Sequence, residues 1–116
     1  MGPIDAAAVQ AALADRAGQD LFIHLETNAG AYAGLRDTKV VPVGAYIRNG
    51  RVRFERGAIT GSGPYRVGLK TEHGWVYAEG LTDWEVDGMG RLLLAGHDAD
   101  GCLGVALQLS QEPFSI

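Results

Sequence analysis

The chain has 116 residues, a net charge of −4 and a hydrophobic fraction of 47%, which describes one folded domain with a real core rather than a disordered chain. The acidic balance argues against a general nucleic-acid binder, and a lone cysteine, Cys102, excludes an internal disulfide and fits a reducing compartment. No apolar run approaches a membrane span and no secretory signal is visible, so a cytoplasmic protein without membrane contact is expected.

Asp5 is a good N-cap for a helix over about 5–17. Ile4 and Val9 have the spacing of a hydrophobic staple, Val9, Ala12, Leu13 and Ala17 form a narrow apolar stripe, and Gly18 ends the helix. So narrow a stripe needs a sheet to pack on. Strands follow over about 20–110. Leu21, Ile23 and Leu25 alternate with Phe22, His24 and Glu26. Asn28–Gly30 reads as a turn, Ala31–Gly34 as a short return strand and Leu35–Lys39 as a loop. Val40–Arg48 reads as a strand that Pro42 confines to an edge or a bulge. Asn49-Gly50 predicts a two-residue type I′ hairpin between Tyr46–Arg48 and Arg51–Phe54, with Gly57 as a bulge.

Gly61–Pro64 is a loop, and Tyr65–Thr71 pairs with Trp75–Gly80 around Glu72-His73-Gly74. Trp84–Asp87 turns at Gly88-Met89-Gly90 into Arg91–Gly96, and Asp98–Gly101 turns into Cys102–Ser110. Gln111–Ile116 is unassigned. The 17 glycines, about twice the usual share, serve these turns. The predicted fold is mainly β: an antiparallel meander forming a partly closed barrel, with a two-sheet sandwich as the alternative, plus one N-terminal helix in a single domain over 1–116.

His24 and Glu26 share a strand face, and His97 ends a later strand. Two histidines and a carboxylate could form an open zinc site. The spacing is not diagnostic, and a histidine with a structural hydrogen bond is the ordinary reading. No metal site and no cofactor are assigned. Asp98-Ala-Asp100-Gly101 lacks the glutamate that completes a calcium loop and reads as a turn. Gly61-Ser62-Gly63-Pro64 lacks the Lys-Ser/Thr and helix of a phosphate loop, and Ser62 lacks a nucleophile elbow.

Trp75, Tyr77 and Glu79 alternate with Val76 and Ala78 and could line a ligand groove. In a small barrel the reverse, with Trp75 and Tyr77 in the core, is favoured. Trp84 suits either environment. The ligand-binding candidates are thus His24, Glu26, Trp75, Tyr77, Glu79 and His97. Arg48, Arg51, Arg53 and Arg56 gather on the predicted hairpin, with Arg66 near. They could hold a phosphate, an acidic ligand or an acidic surface, or simply solvate an edge. Asp83, Glu85 and Asp87 offer the opposite sign, so a symmetric homodimer joining the two patches is expected. Cys102 has no basic neighbour and reads as a small packed residue.

Several strings carry a resemblance: His24-Leu-Glu-Thr27, Gly30-Ala-Tyr-Ala33, Gly44-Ala-Tyr-Ile-Arg-Asn49, Ile59-Thr-Gly61, Gly63-Pro-Tyr-Arg-Val-Gly-Leu-Lys70, Gly74-Trp-Val-Tyr-Ala-Glu-Gly-Leu-Thr82, Trp84-Glu85 and Gly90-Arg-Leu-Leu-Leu-Ala-Gly-His-Asp98. Together they resemble the YojF-type proteins of Bacillus and related Firmicutes over nearly the whole chain. That resemblance implies an uncharacterised β-rich cytosolic protein with no established catalytic residues. It also implies a genomic association with a zinc-dependent deacetylase of the bacillithiol pathway. The expected function is a non-catalytic homodimeric interaction or accessory module, with that deacetylase as a candidate partner. The alternative is a small-molecule-binding domain or enzyme using a His/Glu/aromatic pocket. Nucleic-acid binding by the arginines is weaker, since no aromatic interleaves them.

Overall fold

Asp5 opens the first helix by accepting a hydrogen bond from the Ala8 N–H at 3.1 Å, which satisfies a donor that the helix start would leave unpaired. The helix, α1, runs Ala6–Arg16 and buries Val9, Ala12 and Leu13. Gly18 follows it at φ +77°, a left-handed conformation that glycine adopts without strain. In this computed structural model the described residues are 1–27 and 44–116. The turn, return strand and loop expected over 28–39, and Pro42 with the first part of the strand expected from Val40, lie outside them.

Nine strands form among the described residues: β1 (Gly2–Pro3), β2 (Leu21–Thr27), β3 (Ala45–Val52), β4 (Phe54–Gly61), β5 (Tyr65–Thr71), β6 (Trp75–Leu81), β7 (Asp83–Val86), β8 (Leu92–His97) and β9 (Leu103–Ser110). They make two antiparallel sheets, one ordered β1-β7-β8-β9-β2-β3 and the other β4-β5-β6. The architecture is therefore the two-sheet sandwich, not the partly closed barrel. Only β4-β5-β6 and β7-β8-β9 run as meanders. The chain leaves the larger sheet at Arg53 and returns to it after Leu81.

The Asn49-Gly50 hairpin does not form. Both halves of the segment pair with β2, from Leu21↔Val52 to Thr27↔Ala45, so Ala45–Val52 is one strand. The pairing jumps from Ile23↔Gly50 to His24↔Arg48, and Asn49 is extruded as a bulge at φ 61°. Asparagine tolerates that left-handed angle in a bulge as well as in a turn. The dipeptide signal was thus real but spent on a kink. The turns expected after Thr71, Asp87 and Asp98 form. Thr71 and Gly74 close the β5–β6 hairpin, Asp87 accepts from Met89 and Arg91 N–H, and Asp98 accepts from Asp100 and Cys102 N–H.

One core lies between the sheets. Phe54, Val67, Leu69, Leu81, Leu92, Leu94 and Leu107 are fully buried there, with Val9 and Leu13 of the helix and a partly buried Trp84 against them. Gln10 turns its amide onto β4, donating to the Gly57 carbonyl at 2.8 Å and accepting from the Ile59 N–H at 3.1 Å. β4 is an outer strand of its sheet, so the helix satisfies backbone groups that would otherwise template a foreign strand.

At Gly96 of β8 the two sheets are in close backbone contact. A methyl there would stand 2.1 Å from the Gly80 carbonyl oxygen and 2.7 Å from Val105 Cγ1. Gly96→Ala is expected to destabilise by about 2–3 kcal/mol or more, the range for overpacking against backbone that cannot yield. Gly104→Ala, whose methyl would meet nothing nearer than 3.8 Å, should stay within about 1 kcal/mol of the native chain. Urea unfolding of the two variants checks the contrast.

Candidate functional site

The smaller sheet carries an aromatic platform on its outer face. Along β6, Val76 and Ala78 pack towards the core while Trp75 and Tyr77 remain 43% and 50% exposed. This reverses the expectation that a small barrel would take the two rings inside: the core between two sheets is filled by aliphatic residues instead. The rings stack at 5.4 Å with an interplanar angle of 6°. They lie over Gly68 of β5, where a Cβ would stand 2.9 Å from the Tyr77 ring and 3.4 Å from the Trp75 ring. Aromatic cover over a strand glycine protects backbone that lacks its own side chain.

Cross-strand rows bring cations to both ends of this stack. Arg56 pairs through Lys70 to Trp75, and Arg66 pairs directly with Glu79. The Arg56 guanidinium lies 5.7 Å from the Trp75 ring centre and that of Arg66 5.2 Å from the Tyr77 ring centre, within cation–π range. Arg66 also makes an ion pair with Glu79, and Lys70 with Glu55 at 3.5 Å.

On the larger sheet, His24 and Glu26 face away from the core. His24 Nε2 and Glu26 Oε1 are 3.0 Å apart, and the imidazole is buried beside Tyr46 and Phe114. Its Nδ1 is buried with no hydrogen-bond partner among the described residues. The C-terminal tail closes this cluster. Asn49 donates to the Phe114 carbonyl at 2.8 Å and accepts from the Phe114 N–H at 2.7 Å. Arg48 holds the Ser115 carbonyl and lies 4.9 Å from the Phe114 ring centre. The bulge that extrudes Asn49 is therefore what aims its amide at the tail.

His97 belongs to a third place. Its Nδ1 lies 3.1 Å from Asp83 Oδ1, its backbone N–H donates to Thr82 Oγ1 at 3.0 Å, and Thr82 Oγ1 donates to Asp83 Oδ1. The Thr82 hydroxyl first, and then His97, hold the Asp83 carboxyl below the usual carboxylate range. An ionised carboxylate only accepts, so the neutral ring carries its proton on Nδ1 and leaves Nε2 as an acceptor. Beside His97 opens a cavity of about 480 Å³, lined by Leu25, Thr27, Tyr77, Ala78, Glu79, Gly80, Gly96, Asp98, Gly104 and Val105.

The structure thus divides the sequence candidates. Tyr77, Glu79 and His97 share a cavity; His24 and Glu26 do not line it, and Trp75 joins only the platform. The arginine cluster dissolves because the hairpin does not exist. Arg48 holds the tail, Arg51 covers Phe22 at 4.6 Å, Arg53 faces Asp20 at 3.6 Å, and Arg56 belongs to the other sheet. Asp83 orients His97, while Glu85 lies 4.0 Å from the chain's N-terminal amine. Among the described residues no cluster of three or more His, Cys, Asp or Glu is placed to hold a metal. The Arg56–Arg66 bracket and the Thr82–Asp83–His97 chain went unread. Gly68 opposite an exposed Trp-x-Tyr was the one available signal for the first; the second had none.

The described residues thus define a small two-sheet antiparallel sandwich with one helix and an aromatic–arginine outer face. Residues 3–114 match the family described as "Protein of unknown function (DUF1806)", and the chain belongs to that family. It is similar to the curated "Uncharacterized protein YojF" of Bacillus subtilis (strain 168), 51% identical over 108 residues and covering 93% of each chain. The crystal structure of Bacillus subtilis YojF superposes with a TM-score of 0.81 at 48% identity, covering 98% of this chain and 96% of that one.

Two measurements probe this geometry. Asp83 has its folded pKa below the unfolded value of about 3.8. Its contribution is therefore complete above that value and is lost as pH falls through the lower folded pKa. Asp83→Asn should flatten the fall in stability below pH 3.8, as thermal unfolding across an acid series would show. Asn49→Gly keeps the left-handed backbone but deletes both bonds to Phe114, so amide exchange at Phe114 should rise roughly five- to thirtyfold, equivalent to about 1–2 kcal/mol of hydrogen bonding.

Proposed function

We propose that this protein is a non-catalytic accessory module that binds a protein partner through the outer face of its smaller sheet. The stacked Trp75–Tyr77 pair between Arg56 and Arg66 carries the reading. Tryptophan, tyrosine and arginine dominate the energetics of protein interfaces, where rigid rings lose little entropy on contact. Here they stand exposed together, already oriented by the sheet and by Gly68 beneath them. Contact would therefore need little reorganisation.

The likeness to YojF-type proteins supports the zinc-dependent deacetylase of the bacillithiol pathway as the partner, in a cytoplasmic setting. Self-association is a second part of the proposal. On the outer face of the larger sheet one cross-strand row runs Arg48–His24–Gln108–Leu93–Glu85. A twofold axis through its centre would set each cationic end over the other copy's anionic end, with the Phe114 tails between them.

Co-purification of the chain with the deacetylase tests the first part. The Trp75→Ala/Tyr77→Ala pair should weaken the complex at least about tenfold, or 1.4 kcal/mol, while far-ultraviolet circular dichroism stays unchanged. No co-elution together with unaltered deacetylase kinetics would overturn it. Light scattering in low salt should give twice the mass of one chain, falling towards one chain as salt rises; a monomer at high protein concentration removes the dimer.

A further inference from the structure

We propose that the cavity beside His97 is a small-molecule site, adjoining the partner surface at Tyr77, for a ligand with an apolar body and a hydrogen-bond-donating head, an amine or a hydroxyl. Its volume of about 480 Å³ lies in the range of ligand sites. Leu25, Ala78 and Val105 supply apolar wall from both sheets. At the rim stands one oriented polar group. Asp83 and Thr82 fix the His97 ring through Nδ1 and the backbone N–H, so the neutral ring offers Nε2 as an acceptor. A ligand donor is the group that completes it.

Charge narrows the class further. Asp98 lines the cavity beside Glu79, which is ion-paired with Arg66, Asp83 backs His97, and no lysine or arginine is among the described lining residues. An anionic head would meet repulsion, whereas an amine or hydroxyl would not.

Gly104 supports the same conclusion from the opposite wall. It is not among the glycines with positive φ, and a methyl placed there would meet nothing nearer than the Gly96 carbonyl oxygen at 3.8 Å. Neither backbone angle nor crowding requires glycine at this position. What its missing side chain leaves is room, where β9 steps out of register with β8 between Gly96 and His97.

The test is a titration of the isotope-labelled full chain, followed by amide NMR, with two probes that share a body. Phenethylamine carries a donor head and 3-phenylpropionate an anionic one. Phenethylamine should give saturable shifts at Ala78, Gly96 and Val105 in the millimolar range, and 3-phenylpropionate should bind at least about tenfold more weakly. Gly104→Leu, which fills the cavity, should abolish the shifts. His97→Ala, at a partly exposed rim position, should weaken them about tenfold, the value of one well-formed hydrogen bond. Absence of saturation by phenethylamine, equal binding of the two probes, or undiminished binding in a folded Gly104→Leu or His97→Ala chain would each overturn the proposal.

Discussion

The architecture rests on one contact without side chains. At Gly96 and Gly80 the two sheets touch backbone to backbone, with no room for a methyl group between them. Elsewhere the sandwich is held apart by leucines, valines and Phe54 in the ordinary manner of stacked sheets. The pinch brings β6 against β8 and β9. Beside it the layers diverge, and the cavity at His97 opens in that divergence. The close approach of β6 to β8 beside the cavity is therefore a consequence of the side chain that Gly96 lacks.

Local physics made much of this fold legible. Asp5, the Val9/Leu13 stripe and Gly18 specify a helix through interactions within four residues of one another, and the helix forms nearly where they place it. Period-two alternation likewise identified the strands, since it reports one buried face whatever the partner. Alternation does not say which sheet a strand joins. Barrel and sandwich bury the same inward residues, and what distinguishes them among the described strands is that β3 does not pair with β4, nor β6 with β7. Asn49 shows the same limit at the level of one residue. A left-handed asparagine satisfies a turn or a bulge equally, and the deciding factor is that β2 is long enough to pair with both sides of it.

The candidate site was less legible because it is assembled across sheets. Trp75 and Tyr77 were visible as an alternating pair, but which face they occupy depends on the supply of aliphatic residues from other strands. Leu69, Leu81, Leu94 and Leu107 fill the interior first. The arginines looked like a cluster because they are adjacent in sequence. Once the chain crosses between sheets at Arg53, adjacency in sequence no longer means adjacency in space. The reverse holds for Asp83 and His97, which are far apart along the chain but meet across β7 and β8. Sequence spacing can reveal a site carried by one element; one that spans three strands leaves no periodic trace.

The two tryptophans stand in contrasting surroundings: Trp84 against the core, Trp75 outside, stacked on a tyrosine and capped by an arginine. Nature has in effect equipped this small domain with two intrinsic fluorophores that answer different questions. Emission from the inner indole follows the integrity of the layers, and emission from the outer one follows whatever settles on the sheet. A chain with either indole replaced by phenylalanine would thus be a label-free optical sensor, with folding and surface occupancy read through separate channels.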